Sequence, residues 1–116
     1  AFHLPLNDAT EVIVRDGMVI ACNALIDYPQ EQAAEFACVV VHPSYRRRDL
    51  AAALLRAART QARSRGYQRL FALTTATPDW FLEHGFRPGT RADLPEERRR
   101  SYDEARASKV LILASP

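Results

Sequence analysis

The sequence predicts an α/β (α+β) domain, a central mixed sheet with flanking helices. Three observations predict it. Residues 38–41 are a continuous apolar run rich in β-branched side chains, the pattern of a strand covered on both faces. Behind a short basic loop, Ala51, Leu54, Leu55, Ala58 and Ala62 fall on one stripe of a long amphipathic helix. A second apolar run, Leu70, Phe71, Ala72 and Leu73, then returns as a strand. Strand, helix, strand in that order implies a parallel pair joined by a crossover.

The elements follow in order. Residues 1–10 show no clear period. Residues 11–15 alternate around Val12 and Val14, Asp16-Gly17 marks a tight turn, and 18–25 continues apolar, which together signal a hairpin. A second turn is expected over 27–32, around Pro29. With the strand that follows, this makes a three-strand antiparallel meander. His42-Pro43 ends that third strand, because proline has no N–H for a ladder. Asp49 is placed to N-cap the long helix and Gly66 to close it in a left-handed C-cap. Arg56, Arg59 and Arg63 lie on another face of it.

After the strand at 68–75, Thr77 and Pro78 stand where a short helix would be capped and started, and Gly85 would end it. Residues 86–88 read as a short edge strand or turn. Pro95 followed by EERRR suggests an exposed helix to about Arg100, and KVLILA at 109–114 a final strand. No repeat or linker interrupts the 116 residues, which read as one domain.

Composition excludes several classes. Hydrophobic residues make up 47% and charged residues 26%, a globular balance. A net charge of +2 is too mild for a dedicated nucleic-acid binder. No apolar run approaches the ~20 residues that span a bilayer. No Cys/His cluster suggests a metal. Cys22 and Cys38 sit in apolar strand contexts and read as buried free thiols of a reducing compartment, so the chain is placed in the cytoplasm.

The chemistry gathers at one place. Arg46, Arg47 and Arg48 stand in front of a helix N-terminus, where backbone N–H groups point outward and the helix dipole is positive. Such a mouth suits a phosphate-bearing ligand, although a run of arginines is also an ordinary solvated surface. His42 and His84 read as structural, Trp80 and Phe81 as core, and residues 98–100 as a solvated arginine face.

These features resemble the GNAT acyltransferases. The superfamily signature Gln/Arg-x-x-Gly-x-Gly/Ala falls on Arg46-Arg47-Arg48-Asp49-Leu50-Ala51, with Asp49 in place of the glycine. The segments EFACVVVHPSYR, RLFALTTATPDWFLEHGFRP and LPEERRRSYDEARASKVLI resemble, more narrowly, the acetyltransferase domain of the N-acetylglutamate synthases (amino-acid N-acetyltransferases). The likeness runs from about Val12 to Leu113.

The resemblance implies transfer of acetyl from acetyl-CoA to the α-amino group of L-glutamate, a step of arginine biosynthesis, with no metal, nucleic acid or membrane involved. It implies Glu35 as general base and Thr74 as general acid or hydrogen-bond donor toward the departing thiolate. The backbone of Cys38, Val39, Val40 and Val41 would align the pantetheine arm. Arg46, Arg47, Arg48, Asp49, Leu50 and Ala51 would cradle the pyrophosphate. Arg106 and Ser108 would hold the glutamate carboxylates. Against each stands a plainer reading: Glu35 as a strand-edge carboxylate facing water, Thr74 as an ordinary β-former, Cys38 as packing and Arg106 as one more exposed arginine.

The family normally places a first strand and a helix pair before the hairpin. Only 34 residues precede Glu35. The chain is therefore expected to be excerpted from, or truncated within, a longer protein. An upstream amino-acid-kinase-like domain and a homo-oligomer are the partners the resemblance implies. Two alternatives stay open: a GNAT enzyme acting on another amine, and a non-catalytic GNAT-like regulatory module.

Overall fold

The computed structural model describes residues 9–102 and 108–116. Its centre is a six-stranded sheet in the order β1-β2-β3-β4-β6-β5. Strand β1 (Ala9–Arg15) turns at Asp16-Gly17 into β2 (Met18–Tyr28), and β3 (Ala33–Val41) completes the antiparallel meander. Both residues of the first turn have positive φ, 51° at Asp16 and 77° at Gly17, as a tight primed hairpin turn requires. Strand β2 runs three residues further than the sequence suggests. The second turn is correspondingly shorter, a 3-10 turn at Pro29–Glu31 closed by Gln32.

Helix α1 (Leu50–Ser64) leads to β4 (Arg69–Thr74), which lies parallel to β3 as expected. At the end of α1 the Gly66 N–H donates to the Arg63 carbonyl and the Tyr67 N–H to the Ala62 carbonyl, both at 3.0 Å. With Gly66 at φ +73°, this is the left-handed cap that glycine allows. Then come α2 (Pro78–Glu83), the edge strand β5 (Arg87–Gly89), α3 (Glu96–Arg100) and β6 (Lys109–Ala114). Strand β6 inserts between β4 and β5, antiparallel to both.

The alternation of strand side chains builds two cores. On one face Ala21, Leu25, Ala34, Phe36, Leu70, Ala72, Leu111 and Leu113 pack with Leu54, Leu55 and Ala58 of α1 and with Phe81 and Phe86. On the other, Ala33, Phe71, Val110 and Ile112 pack with Leu94, flanked by Tyr28, Leu73 and Tyr102.

The apolar run of β3 departs from expectation. Cys38, Val39 and Val40 are exposed, Val40 by 52%, and the buried part of the strand is its first half. The reason is register. Strands β3 and β4 pair only over Ala33, Ala34 and Glu35 opposite Arg69, Leu70 and Phe71. Beyond that β4 stays with β6, and no described strand covers that edge of β3. Neither cysteine is in a disulfide, and neither is fully buried: Cys22 is half-buried and Cys38 exposed.

Two tests follow from this packing. A Cβ on Gly89 would stand 2.7 Å from Ile112 Cγ1 and 3.0 Å from Asp93 Oδ2. Asp93 Oδ2 also accepts the Thr90 N–H at 2.8 Å, so it is not free to move. Gly89→Ala is expected to cost about 1–3 kcal/mol, read as a lower urea midpoint at unchanged slope.

The second concerns Glu11, whose carboxylate accepts from Asn23 Nδ2 at 3.2 Å. Burial pushes the Glu11 carboxyl above the ordinary glutamate range, outweighing the opposing effects of Asn23 and Arg65. A raised folded-state pKa adds stability below the unfolded value, and that stability is lost as pH rises through the folded value. Gln at position 11 keeps the acceptor and cannot ionise. Melting curves should show Glu11→Gln gaining on the parent from pH 4 to pH 7; a pH-independent difference would contradict this account.

Candidate active site

The site begins where β3 and β4 part. Glu35 is the last paired residue of β3, opposite Phe71. After it β3 carries a bulge: Ala37 pairs Ala24 and Val40 pairs Cys22, so Cys38 and Val39 together face the one residue Asn23. Cys38 takes φ 55°, an unusual value for a non-glycine residue. The bulge bends the strand locally and re-aims its side chains just where its other edge has lost β4.

The resulting wedge holds an apolar pocket of about 280 Å³, lined by Phe36, Val39, Ala51, Thr77, Trp80 and Phe81. Its floor is an aromatic cluster. Phe81 meets Phe36, Trp80 and Phe86 edge-on at ring distances of 6.4, 5.0 and 5.1 Å. Trp80 is half-buried on its rim and stacks on His84 at 4.1 Å, whose Nδ1 lies 2.8 Å from the Trp80 carbonyl oxygen. His84 is therefore structural, as expected. So is His42, whose Nδ1 accepts the Ser44 N–H at 3.1 Å and fixes the entry to the basic turn.

That turn is a 3-10 helix over Pro43–Arg48 leading to Asp49. Asp49 occupies the N-cap position of α1, but its side chain makes no capping bond there. Its backbone is left-handed, φ 53° and ψ 38°, the conformation glycine would adopt most easily. A cap side chain works from an extended backbone, which explains why the expected cap is not formed. Arg46 is exposed; the side chains of Arg47 and Arg48 are outside what the structure describes. The α1 N-terminus, Leu50 and Ala51 included, adjoins the wedge, since Ala51 lines its pocket.

Glu35 is 4% exposed, so the plainer reading of a carboxylate facing water is wrong. Arg98 Nε donates to Glu35 Oε1 at 2.9 Å, with side-chain exposures of 23% and 6%. This corrects the reading of residues 98–100 as a solvated face. Arg98 lies at the third position of α3, which turns its guanidinium toward the sheet, while Arg100 reaches outward to Glu96 at 2.9 Å. The helix is only five residues long and begins just after the buried Leu94 and Pro95. One flank of so short a helix must face inward.

Thr74 ends β4, half-buried. Its Oγ1 accepts the backbone N–H of Thr77 at 3.0 Å and of Ala76 at 3.3 Å, and lies 3.2 Å from Thr77 Oγ1. Thr77 thus starts α2 without capping it through its own side chain. Ser108 stands just before Lys109, the β6 partner of Thr74. Its carbonyl accepts the Tyr102 hydroxyl at 2.7 Å. It lines a different pocket, of about 240 Å³, with Tyr102, Pro78 and Arg91. Arg106 lies outside the described residues.

A larger cavity of about 490 Å³ lies between the β2–β3 turn and α3, rimmed by Asp27, Glu31, Glu96, Glu97 and Arg100. None of the residues singled out from sequence as a site residue lines it. Among the described residues no group of His, Cys, Asp or Glu converges as a metal site. No helix among the described residues is long and apolar enough to cross a membrane.

With this geometry in place, comparison with known proteins assigns the family. Residues 7–88 match the acetyltransferase (GNAT) domain, and the chain belongs to that family. The amino-acid acetyltransferase of Shewanella oneidensis is 51% identical over 102 residues, 88% of this chain and 23% of that protein. That of Pasteurella multocida is 48% identical over 112 residues, 97% of this chain and 25% of the relative. The chain thus spans about a quarter of the length of the curated relatives it matches. Among solved structures, N-acetylglutamate synthase from Neisseria gonorrhoeae, complexed with coenzyme A and N-acetyl-glutamate, superimposes with a TM-score of 0.86 at 33% identity. The match covers 92% of this chain and 26% of that one.

Proposed function

We propose that this domain transfers acetyl from acetyl-CoA to the α-amino group of L-glutamate. The observation that carries the reading is a buried carboxylate, Glu35, on the last residue of β3 that pairs with β4, beside the point where an apolar wedge bordered by one strand edge and one helix N-terminus opens. The relatives named amino-acid acetyltransferases, and the synthase bound to coenzyme A and N-acetyl-glutamate, support both donor and acceptor. Arginine biosynthesis belongs to the same reading. A cytoplasmic setting is supported by the two free thiols.

In this mechanism the pantetheine arm lies along Cys38, Val39, Val40 and Val41, on the edge of β3 that β4 has left. The arm takes the place of a neighbouring strand, and backbone N–H groups there polarise the thioester carbonyl. The pyrophosphate meets the N–H groups of the turn at Arg46, Arg47, Arg48, Asp49, Leu50 and Ala51, and the arginines add charge. Glu35 accepts a proton from the glutamate ammonium, directly or through water, and frees the nucleophilic lone pair. The amine attacks the thioester carbon, the tetrahedral intermediate collapses as the C–S bond breaks, and the second proton lost from nitrogen passes to the departing thiolate to give the CoA thiol. Thr74 donates a hydrogen bond to the departing thiolate in this reading. Arg106 and Ser108 hold the acceptor's carboxylates.

Asp49 favours a second reading, a GNAT-like module that does not turn over, because a carboxylate beside a pyrophosphate repels it. Calorimetric titration with acetyl-CoA separates the two: no binding up to millimolar ligand would leave the regulatory reading.

Two variants test the catalytic one. Glu35→Gln should lower turnover of acetyl-CoA with glutamate by about 10²- to 10⁴-fold, with the acetyl-CoA Kd held within about threefold. Unchanged turnover would remove Glu35 from the mechanism. Asp49→Gly removes the negative charge and keeps the left-handed backbone. Removing roughly 1 kcal/mol of repulsion should tighten acetyl-CoA about fivefold by calorimetry, and an unaltered Kd would show that the carboxylate is turned away from the phosphates.

A further inference from the structure

We infer that Arg98 is a positioning residue for Glu35, a fixed cation on α3 that holds the buried carboxylate in place where β3 and β4 part. The inference rests on the reading of Glu35 as the base. Its own support is geometric. Glu35 projects from the sheet face that bears Ala33 and Phe71, the face on which Leu94 packs and to which α3 brings Arg98. A charge withdrawn from water there is costly unless a partner compensates it. Arg98 Nε supplies that compensation at 2.9 Å.

The cation is itself held. Arg98 Nη1 donates to Ser101 Oγ at 2.8 Å, and Ser101 Oγ donates back to the Arg98 carbonyl at 3.1 Å. The helix beneath is pinned at its start. The Glu96 N–H donates to Glu31 Oε2 from the β2–β3 turn at 2.7 Å, and Arg99 Nη1 donates to the Leu94 carbonyl at 2.7 Å. Glu35 is thus located from two sides, by its own strand and by a helix anchored on the turn that begins that strand. Tyr102, just past α3, reaches Ser108 at the start of β6. The same short segment therefore ties the base to the stretch read as the acceptor site.

The contact uses one N–H of the guanidinium, not its fork. A point charge on a long stem should therefore serve nearly as well, and this gives the test. Arg98→Met keeps the stem and loses the charge; Arg98→Lys keeps both. In the full protein, Arg98→Met should lower kcat about 10- to 100-fold with the KM for acetyl-CoA within about twofold. Arg98→Lys should recover kcat to within about fivefold of the parent. A residue that only packs would be replaced well by Met and gain nothing from Lys.

A second readout needs no turnover. Arg98→Met removes a cation from beside a buried carboxylate, so its Tm should fall, and adding Glu35→Gln to it should raise the Tm again. Parent-like kcat in Arg98→Met, or Met and Lys variants equally impaired, would overturn the inference while leaving the Glu35→Gln result standing. A Glu35→Gln variant as active as the parent would overturn the reading of the base, and the inference with it.

Discussion

The structure depends on how briefly β3 and β4 stay together. Three residues of each strand pair in parallel, and then they separate. A parallel pair cannot diverge without leaving hydrogen-bonding groups on the inner edges, which is costly wherever those edges are dry. The chain manages this differently on the two sides. Strand β4 keeps β6 as a neighbour along its whole length, six registered residues, so its far half stays in the sheet. Strand β3 keeps β2 but bulges at Cys38, so its far half bends and its side chains reach solvent. The opening is therefore asymmetric: one wall is an intact sheet and the other a strand with a vacant side. A ligand that can run alongside a backbone is what such a wall is shaped to take.

Burial at the root of the opening sets the remaining chemistry. Were Glu35 one residue along β3 it would face α1, in the company of Ala34 and Phe36, where a carboxylate would have only apolar neighbours. Its own parity sends it to the thinner second core, where a polar five-residue helix can bring a guanidinium. The two cores thus differ in kind. The one under α1 and α2 is apolar and supports the wedge, while the one under α3 accommodates a charge pair beside Phe71, Val110 and Ile112. A protein that had covered both faces with long apolar helices would have had no place for this carboxylate.

Much of the fold was legible in the sequence because it is local. Asp16-Gly17 specifies its turn, Gly66 its cap, and the i, i+3, i+4 spacing of α1 its buried stripe, which Leu54, Leu55, Ala58 and Ala62 confirm. The final strand at Lys109–Ala114 was legible to the residue. Two kinds of feature were not. Exposure of Cys38, Val39 and Val40 depends on where another strand stops pairing, and an apolar run looks the same with or without a neighbour. The Arg98–Glu35 pair joins residues 63 apart in sequence, and nothing in a run of three arginines says which of them turns inward. That required the phase of α3, fixed by Leu94 and Pro95 beneath it. The same limit applies to Asp49: its place was legible, its backbone was not.

Asp49 shows how the turn weighs conformation against charge. A non-glycine residue held left-handed costs of order 1 kcal/mol, less for aspartate than for most. The chain accepts this because the 3-10 turn at Pro43–Arg48 must reverse into α1 in a single step, and a left-handed residue makes that step. What glycine would have spared is the carboxylate. The side chain is exposed and caps nothing, so it sits in water, where its charge is screened. The three arginines that immediately precede it leave the turn net positive, and the N–H groups at the head of α1 add to that field without a compensating cap. The local sign therefore still favours an anion at the mouth of the wedge, with less margin than a glycine would have left.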